Sequence, residues 1–296
     1  LWSALIVALY RAGRQADALD AYQRARAILG DELGVDPGPE LRAVEAKVLA
    51  QDPSLLVSAP SPIRTCPWKG LAAYEPSDAD YFVGRDRIVD EVIARLVDYS
   101  VVIVTGPSGV GKSSLVRAGV VPALASGAII GSADWRVELI SPGSHPLGVV
   151  RSAVEDRPDL LVVDPGDDLL SVNSGSDIAA IARALRIAIA QGMRLVMTMR
   201  GDLFGRLSEL NGLAPRAGAG TVLLGVPRDE ELRQMVELPA RHVGLEVEPA
   251  LVEAVIVDVG GRPASLPLLS TALVRTWQRR EGNRLTLSGY HAAGGT

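Results

Sequence analysis

At the N-terminal end of the chain, apolar side chains return every three or four positions. Leu1, Ala4, Leu5, Ala8 and Leu9 make one such run, ended by Gly13, and Ala18, Tyr22, Ala25 and Leu29 make a second. This spacing gathers the apolar groups on one face of a helix. It predicts two short antiparallel helices joined through "AGR", in the manner of a tetratricopeptide unit. "GVDPGPE" reads as a turn, Pro39 suits a helix first turn, and Leu41, Val44, Val48 and Leu49 form a third stripe. Residues 52–67, "DPSLLVSAPSPIRTCP", lose the periodicity; their four prolines and several serines predict an extended linker.

Beyond the linker the pattern changes. Apolar runs at 101–105, 137–140, 160–164, 194–199 and 221–224 alternate with helical patterns. That alternation predicts a parallel sheet with helices on both faces. After about residue 228 the strands stop, and helical spacing covers 229–242, 250–259 and 266–280. "RLTLSGY" then reads as a short strand leading into another helix.

Composition narrows the possibilities. A formal net charge of −5 gives no general attraction to nucleic acid or an anionic membrane. The single Cys66 excludes an intramolecular disulfide framework and fits a reducing cytoplasm. The longest apolar stretches are interrupted, "GVVPALASGAII" by Pro122 and Gly127, so no membrane helix is expected. "LWSALIVALYR" has an apolar core but no preceding basic residue and no Met, and reads as the inside of a helix in a piece of a longer chain.

One break between strand and helix carries chemistry. In "VVIVTGPSGVGKSSL", Gly106, Gly111, Lys112 and Ser113 satisfy G-x-x-x-x-G-K-[ST] directly after a strand and before a helix. Glycines let backbone N–H groups curl around an anion, and the helix start adds the positive end of its dipole. Gly106, Pro107, Ser108, Gly109, Val110, Gly111, Lys112, Ser113 and Ser114 are therefore expected to hold a nucleotide. Lys112 would reach the terminal phosphates and the Ser113 hydroxyl would hold Mg²⁺. The chain has only three lysines, Lys47, Lys69 and Lys112. With no lysine after Lys112, the N/T-K-x-D loop that reads guanine has no place here, which leaves ATP or ADP. "LLVVD" ends in Asp164, an acid at a strand end that would share the Mg²⁺.

Hydrolysis needs a group that orients water, commonly a Glu just after that acid. Pro165 stands there instead, followed at a distance by Asp167 and Asp168; Arg200, at the tip of the next strand, could meet the γ-phosphate. These three are the catalytic candidates, and their wiring favours slow turnover and sensing. An ordinary ATPase or kinase, and a scaffold with a vestigial site, stay open as alternatives. His145 and His242 lack metal-ligand neighbours at suitable spacing, and Trp68, Trp135 and Trp277 read as packing residues. "RTWQRRE" reads as a solvated helix face.

Taken in order, "CPWKGLAAYEPSDADYFVGRD", the phosphate loop, "LLVVDPGDDLL", "RLVMTMRGDLFGRL" and "LPLLSTALVRTWQRREGNRLTLSGYHAAGG" resemble the novel STAND-type NTPase module over residues 66–296. Residues 1–56, with "ILGDELGVDPGPELRAVEAKVLAQDPSL", resemble the end of a bacterial transcriptional activation domain, a pairing typical of SARP/AfsR-type regulators. The resemblance implies a P-loop NTPase of the ASCE type, with the strand of "RLVMTMR" lying between the phosphate-loop strand and the Asp164 strand. It implies that Gly84 and Arg85 help hold base and ribose, and that Pro267 closes over adenine. The family usually carries "DQFEELF" where this chain has "DPGDDLL", and a glycine where it has Ala264. The domains expected are a TPR-like activation-domain end at 1–56, a linker at 57–70, the NTPase core at 71–227, and at 228–296 a helical lid with the start of a winged-helix-like subdomain. The implied protein is a cytoplasmic nucleotide switch within a transcriptional regulator. It would self-associate or bind protein partners through its TPR-like helices, and would reach DNA only through a winged-helix domain outside these residues.

Overall fold

The computed structural model describes residues 2–52, 65–171, 175–262 and 264–295. The chain divides into two compact units, Leu1–Pro62 and Ile63–Thr296. The first contains α1 (Trp2–Arg11), α2 (Gln15–Leu33) and α3 (Pro39–Leu49). Ala18, Ala21, Tyr22 and Ala25 of α2 are buried together with Leu41 and Val48 of α3. The face of α1 differs from the expectation. Ala4, Leu5 and Ala8 are exposed, and Ile6 and Tyr10 are buried in their place. Alanines on the facing helix leave space that an Ile and a Tyr fill better than further alanines would. Leu49, expected in the third stripe, is also exposed.

Residues 53–64 of the expected linker lie outside the described residues. The rest of it is not linker. Trp68 is 4% exposed and packs in the core of the second unit, where its Nε1 donates to the Met235 carbonyl at 3.1 Å. A buried indole with its N–H satisfied ties residues 65–70 to the fold that follows.

That fold opens with a 3₁₀ turn, Pro76–Tyr81, and α4 (Asp86–Asp98), then β1 (Val101–Gly106). The phosphate-loop helix starts as α5 (Lys112–Ser114), passes through the π-helical stretch Leu115–Val120 and ends as α6 (Val121–Ala125). Next come β2 (Val137–Ile140), α7 (Pro146–Glu155), β3 (Leu160–Val163), α8 (Gly175–Ala190), β4 (Arg194–Arg200), α9 (Ala214–Ala217) and β5 (Thr221–Leu223). The strands form one sheet in the order β2-β3-β4-β1-β5, every pair parallel. Alternate residues feed opposite layers: Val101, Ile103, Leu161, Val163, Leu195 and Met197 face the side of α7 and α8. Val102, Val104, Leu160, Val162 and Val196 face the side of α4 and the phosphate-loop helix. Burial on both faces is why these strands read as unbroken apolar runs. β4 lies between β1 and β3, as the family pattern implies, so Gly106, Asp164 and Arg200 come to one edge of the sheet.

The remaining elements are α10 (Asp229–His242), β6 (Glu246–Val247), α11 (Pro249–Val259), α12 (Leu266–Gln278), β7 (Arg284–Leu285) and α13 (Leu287–Ala292). Leu232, Val236, Leu251, Val255, Leu273 and Tyr290 fill their common core. Strands do not stop at residue 228, since β6 pairs in parallel with β7. β7 lies in "RLTLSGY", which reads as a strand, whereas the two residues of β6 are too few for an alternation to show in sequence. The helical part shares one compact unit with the sheet, so residue 228 marks a change of architecture within it. Among the described residues no helix is long and apolar enough to cross a membrane.

Candidate functional site

Between β1 and α5 the chain turns through Gly109 and Gly111, whose φ angles of +72° and +96° lie in the left-handed region that favours glycine. Any side chain on Gly106 would collide with the Leu224 carbonyl. The loop therefore keeps its amides uncovered by Cβ atoms. Lys112 Nζ donates to the carbonyl oxygens of Gly106 (3.0 Å) and Pro107 (2.8 Å), so its ammonium lies across the loop. Burial holds the Lys112 pKa below its ordinary value, against the opposing charges of Asp167 and Asp164. A half-buried cation resting on neutral carbonyls gains more from an arriving polyphosphate than a solvated one would.

Beneath the loop, Asp164 is 1% exposed. Its Oδ1 accepts from Ser113 Oγ at 2.9 Å and from Thr198 Oγ1 at 2.5 Å, and its Oδ2 accepts from Arg117 Nε at 2.7 Å. A hydroxyl and a carboxylate side by side form a hard-oxygen pair that suits Mg²⁺. No cluster of three His, Cys, Asp or Glu occurs among the described residues.

Ser113 and Thr198, the two hydroxyls on Asp164, open on a cavity of about 360 Å³, within the range of small-ligand pockets, and Asp164 itself lies behind them. Ser108, Gly109, Val110, Gly111, Lys112, Ser113 and Ser114 line it, and so do Arg85, Asp167, Arg200 and Pro267. α12 reaches the apex of the loop: a Cβ on Gly109 would stand 3.1 Å from Ala264 Cα and 3.3 Å from Pro267 Cγ. Pro267 thus stands against the phosphate loop. The glycine-to-alanine change beside it is not neutral, because Ala264 sits at φ +62°.

Other sequence candidates are placed differently. Asp167 faces the cavity, and its Oδ1 accepts from the Arg200 N–H at 3.0 Å; burial pushes its carboxyl above the ordinary range. Asp168 turns instead to the loop after β2, where its Oδ2 accepts from the Gly143 N–H at 2.9 Å. The Arg200 guanidinium is exposed and paired with Asp202. Arg85 is buried and committed to Glu231 (3.3 Å) and to the Gly225 carbonyl (3.0 Å). Gly84 serves close packing, since a Cβ there would lie 2.7 Å from the Glu231 carbonyl oxygen. The pair that the resemblance assigns to base and ribose therefore also braces the cavity wall against α10. His242 packs edge-on to Tyr81, and Trp135 and Trp277 carry Arg194 and Arg280 over their rings.

Sequence reasoning missed Thr198 and Arg117. Each left a signal, a hydroxyl inside the apolar strand "RLVMTMR" and a charge inside the apolar helix "SLVRAGVV". Neither sits in a motif, and their partner is distant in sequence.

Residues 67–296 match the family Novel STAND NTPase 1, and residues 1–49 match the bacterial transcriptional activator domain. The regulatory protein AfsR of Streptomyces griseus is 40% identical over 116 residues, which is 38% of this chain and 12% of that protein. The transcriptional regulatory protein EmbR of Mycobacterium tuberculosis is 53% identical over 53 residues, 18% of this chain and 14% of its own length. The chain thus spans only about an eighth of the relatives it matches. Domain III of the replication initiation protein DnaA of Thermotoga maritima superposes with a TM-score of 0.54 at 17% identity, over 73% of this chain and 94% of that one. At that identity the likeness shows a shared P-loop NTPase fold.

Proposed function

The chain belongs to the Novel STAND NTPase 1 family, and from that premise we propose that it is the ATP- and ADP-controlled switch of a transcriptional regulator. The observation that carries this reading is the join of three parts at one cavity. These are the glycine loop with Lys112, Ser113 with Asp164 hydrogen-bonded behind it, and the start of α12 at Pro267.

The amides of residues 108–113 bind the polyphosphate, and Lys112 exchanges the Gly106 and Pro107 carbonyls for phosphate oxygens. Ser113 and Asp164 hold Mg²⁺, which when bound neutralises charge between the outer phosphates. Pro267 and Arg85 border the base and ribose. ADP holds the helical part against the loop, and exchange for ATP reorganises it; the two nucleotides can do this only by binding the two states with different affinity. Turnover is slow at most. Of the two acids after the Asp164 strand, only Asp167 faces the cavity, and Arg200 is paired with Asp202.

The regulatory half of the reading is supported by the activator-domain match over residues 1–49 and by the transcriptional roles in the names of the relatives. DNA would be reached through a winged-helix domain outside these residues, and the three N-terminal helices would serve self-association or protein partners.

Titration calorimetry with ATP and ADP tests the site. Lys112→Ala is expected to abolish measurable binding; equal affinity in the variant and the wild type would remove the proposal. Steady turnover well above ~1 s⁻¹ without a partner would instead favour an enzyme whose chemistry is its purpose.

A further inference from the structure

Arg117 belongs to no motif, yet its guanidinium donates to four acceptors around the site. It lies on the π-helical stretch behind the phosphate loop, and its side chain is 15% exposed. Its Nε donates to Asp164 Oδ2 (2.7 Å), its Nη1 to Glu75 Oε1 (2.8 Å), and its Nη2 to Ser141 Oγ (3.0 Å) and to the Asp164 carbonyl (3.2 Å). Ser141 Oγ donates to the same carbonyl at 2.7 Å. Asp164 is thereby held by main chain and side chain together, with Oδ1 left to Ser113 and Thr198. Only a planar fork of donors can serve a carboxylate, a carbonyl, a hydroxyl and a second carboxylate at once; a lysine ammonium cannot span them.

Glu75 leads away from the site. The N–H of its neighbour Tyr74 donates to Ser114 Oγ (3.1 Å), beside the Mg²⁺-site serine. The stretch 67–81 is internally tied. Tyr74 Oη donates to the Pro67 carbonyl (3.2 Å), the Glu75 N–H donates to Asp78 Oδ2 (2.9 Å), and Lys69 Nζ donates to Asp78 Oδ1 (3.0 Å). Its other end is anchored to α10 by the Trp68–Met235 hydrogen bond. One strap thus touches the phosphate-loop helix at Ser114 and Arg117 and the helical part at Met235.

We propose that Arg117 is a positioning residue that fixes the cation-facing side of Asp164 and, through Glu75, passes the state of that site to strap 67–81 and on to α10. The inference rests on the nucleotide-site reading above and adds to it a route by which occupancy is felt outside the loop. Mg²⁺ held by Ser113 and Asp164 would draw on the carboxylate that Arg117 holds at Oδ2, and the same guanidinium holds Glu75.

The test uses the whole chain, ATP with and without Mg²⁺, and two readouts: calorimetry, and amide hydrogen exchange of residues 67–81. In the wild type, Mg²⁺ tightens ATP binding and slows exchange in the strap. Arg117→Lys is expected to leave Mg²⁺-free affinity within about twofold while the Mg²⁺-dependent gain falls about tenfold or more, as for other groups that orient metal ligands. Glu75→Gln is expected to keep the Mg²⁺ gain and lose the exchange response. Arg117→Lys with the full Mg²⁺ gain, or with both affinities weakened alike, overturns the positioning role. A strap that responds in Glu75→Gln as in the wild type overturns the relay. Absence of ATP binding to the wild type would instead remove the nucleotide site itself, and this inference with it.

Discussion

A Cβ added to Gly166 would collide with Met197 and stand 2.6 Å from the Thr198 carbonyl oxygen. Gly166, the position of the missing aromatic in "DPGDDLL", therefore has no room for a side chain: the thioether of Met197 occupies the space beside the turn. The opposite holds at Ala264. Its φ of +62° costs an alanine about 1–2 kcal/mol, and the site is pressed against Gly109. Ala264→Gly should raise stability by about 0.5–1 kcal/mol, the relief being partly offset by a more flexible unfolded chain; urea unfolding checks it, and an unchanged or lower midpoint counts against strain at this position. Residue-level legibility follows from sequence distance. The phosphate loop was readable because its parts lie within eight consecutive positions, Gly106 to Ser113. Thr198 and Arg117 reach Asp164 across 34 and 47 residues, so nothing short of the sheet order could reveal them.

Elements were legible where their period is long. α10, α11 and α12 start and end within two residues of the helical patterns, and every core strand sits on its apolar run. What periodicity could not supply is the tie between the "FVGR" turn and α10. Glu231 is buried between Arg85 and the exposed Arg228. Burial pushes its carboxyl up, but hydrogen bonds from the Arg228 backbone and guanidinium, with the Arg85 charge, outweigh that and leave it below the ordinary value of 4.5. A carboxyl lowered by folding adds stability above its unfolded value, and that stability is lost as pH falls through the folded one. Unfolding midpoints between about pH 5 and about pH 3 should therefore drop more steeply in the wild type than in Glu231→Gln. Arg85→Ala, which leaves the buried carboxylate to Arg228 alone, should cost about 3 kcal/mol at neutral pH. A loss below about 1 kcal/mol would mean that Arg228 alone compensates Glu231.

For the whole second unit, the question is what the lid gains from the nucleotide. In the proposed switch the lid meets the loop through Pro267 and Ala264 against Gly109 and through Leu266 against Gly111, so a difference in affinity between the two nucleotides at the loop would be felt at the lid. A tenfold difference between two states is worth about 1.4 kcal/mol, enough to invert a nearly balanced equilibrium. Coupling of this kind is reciprocal: whatever ADP contributes to holding the lid, the docked lid returns as ADP affinity. Weakening the lid contact should therefore weaken the lid-holding nucleotide more than the other. Pro267→Ala is expected to weaken both nucleotides, which share the base and ribose it borders, but ADP about three- to tenfold more than ATP, measured by calorimetry with Mg²⁺ present. Equal losses for both nucleotides would mean that the proline contacts only a part common to both, and that the lid does not distinguish them. A loss confined to ATP would reverse the assignment and make the closed lid the ATP state.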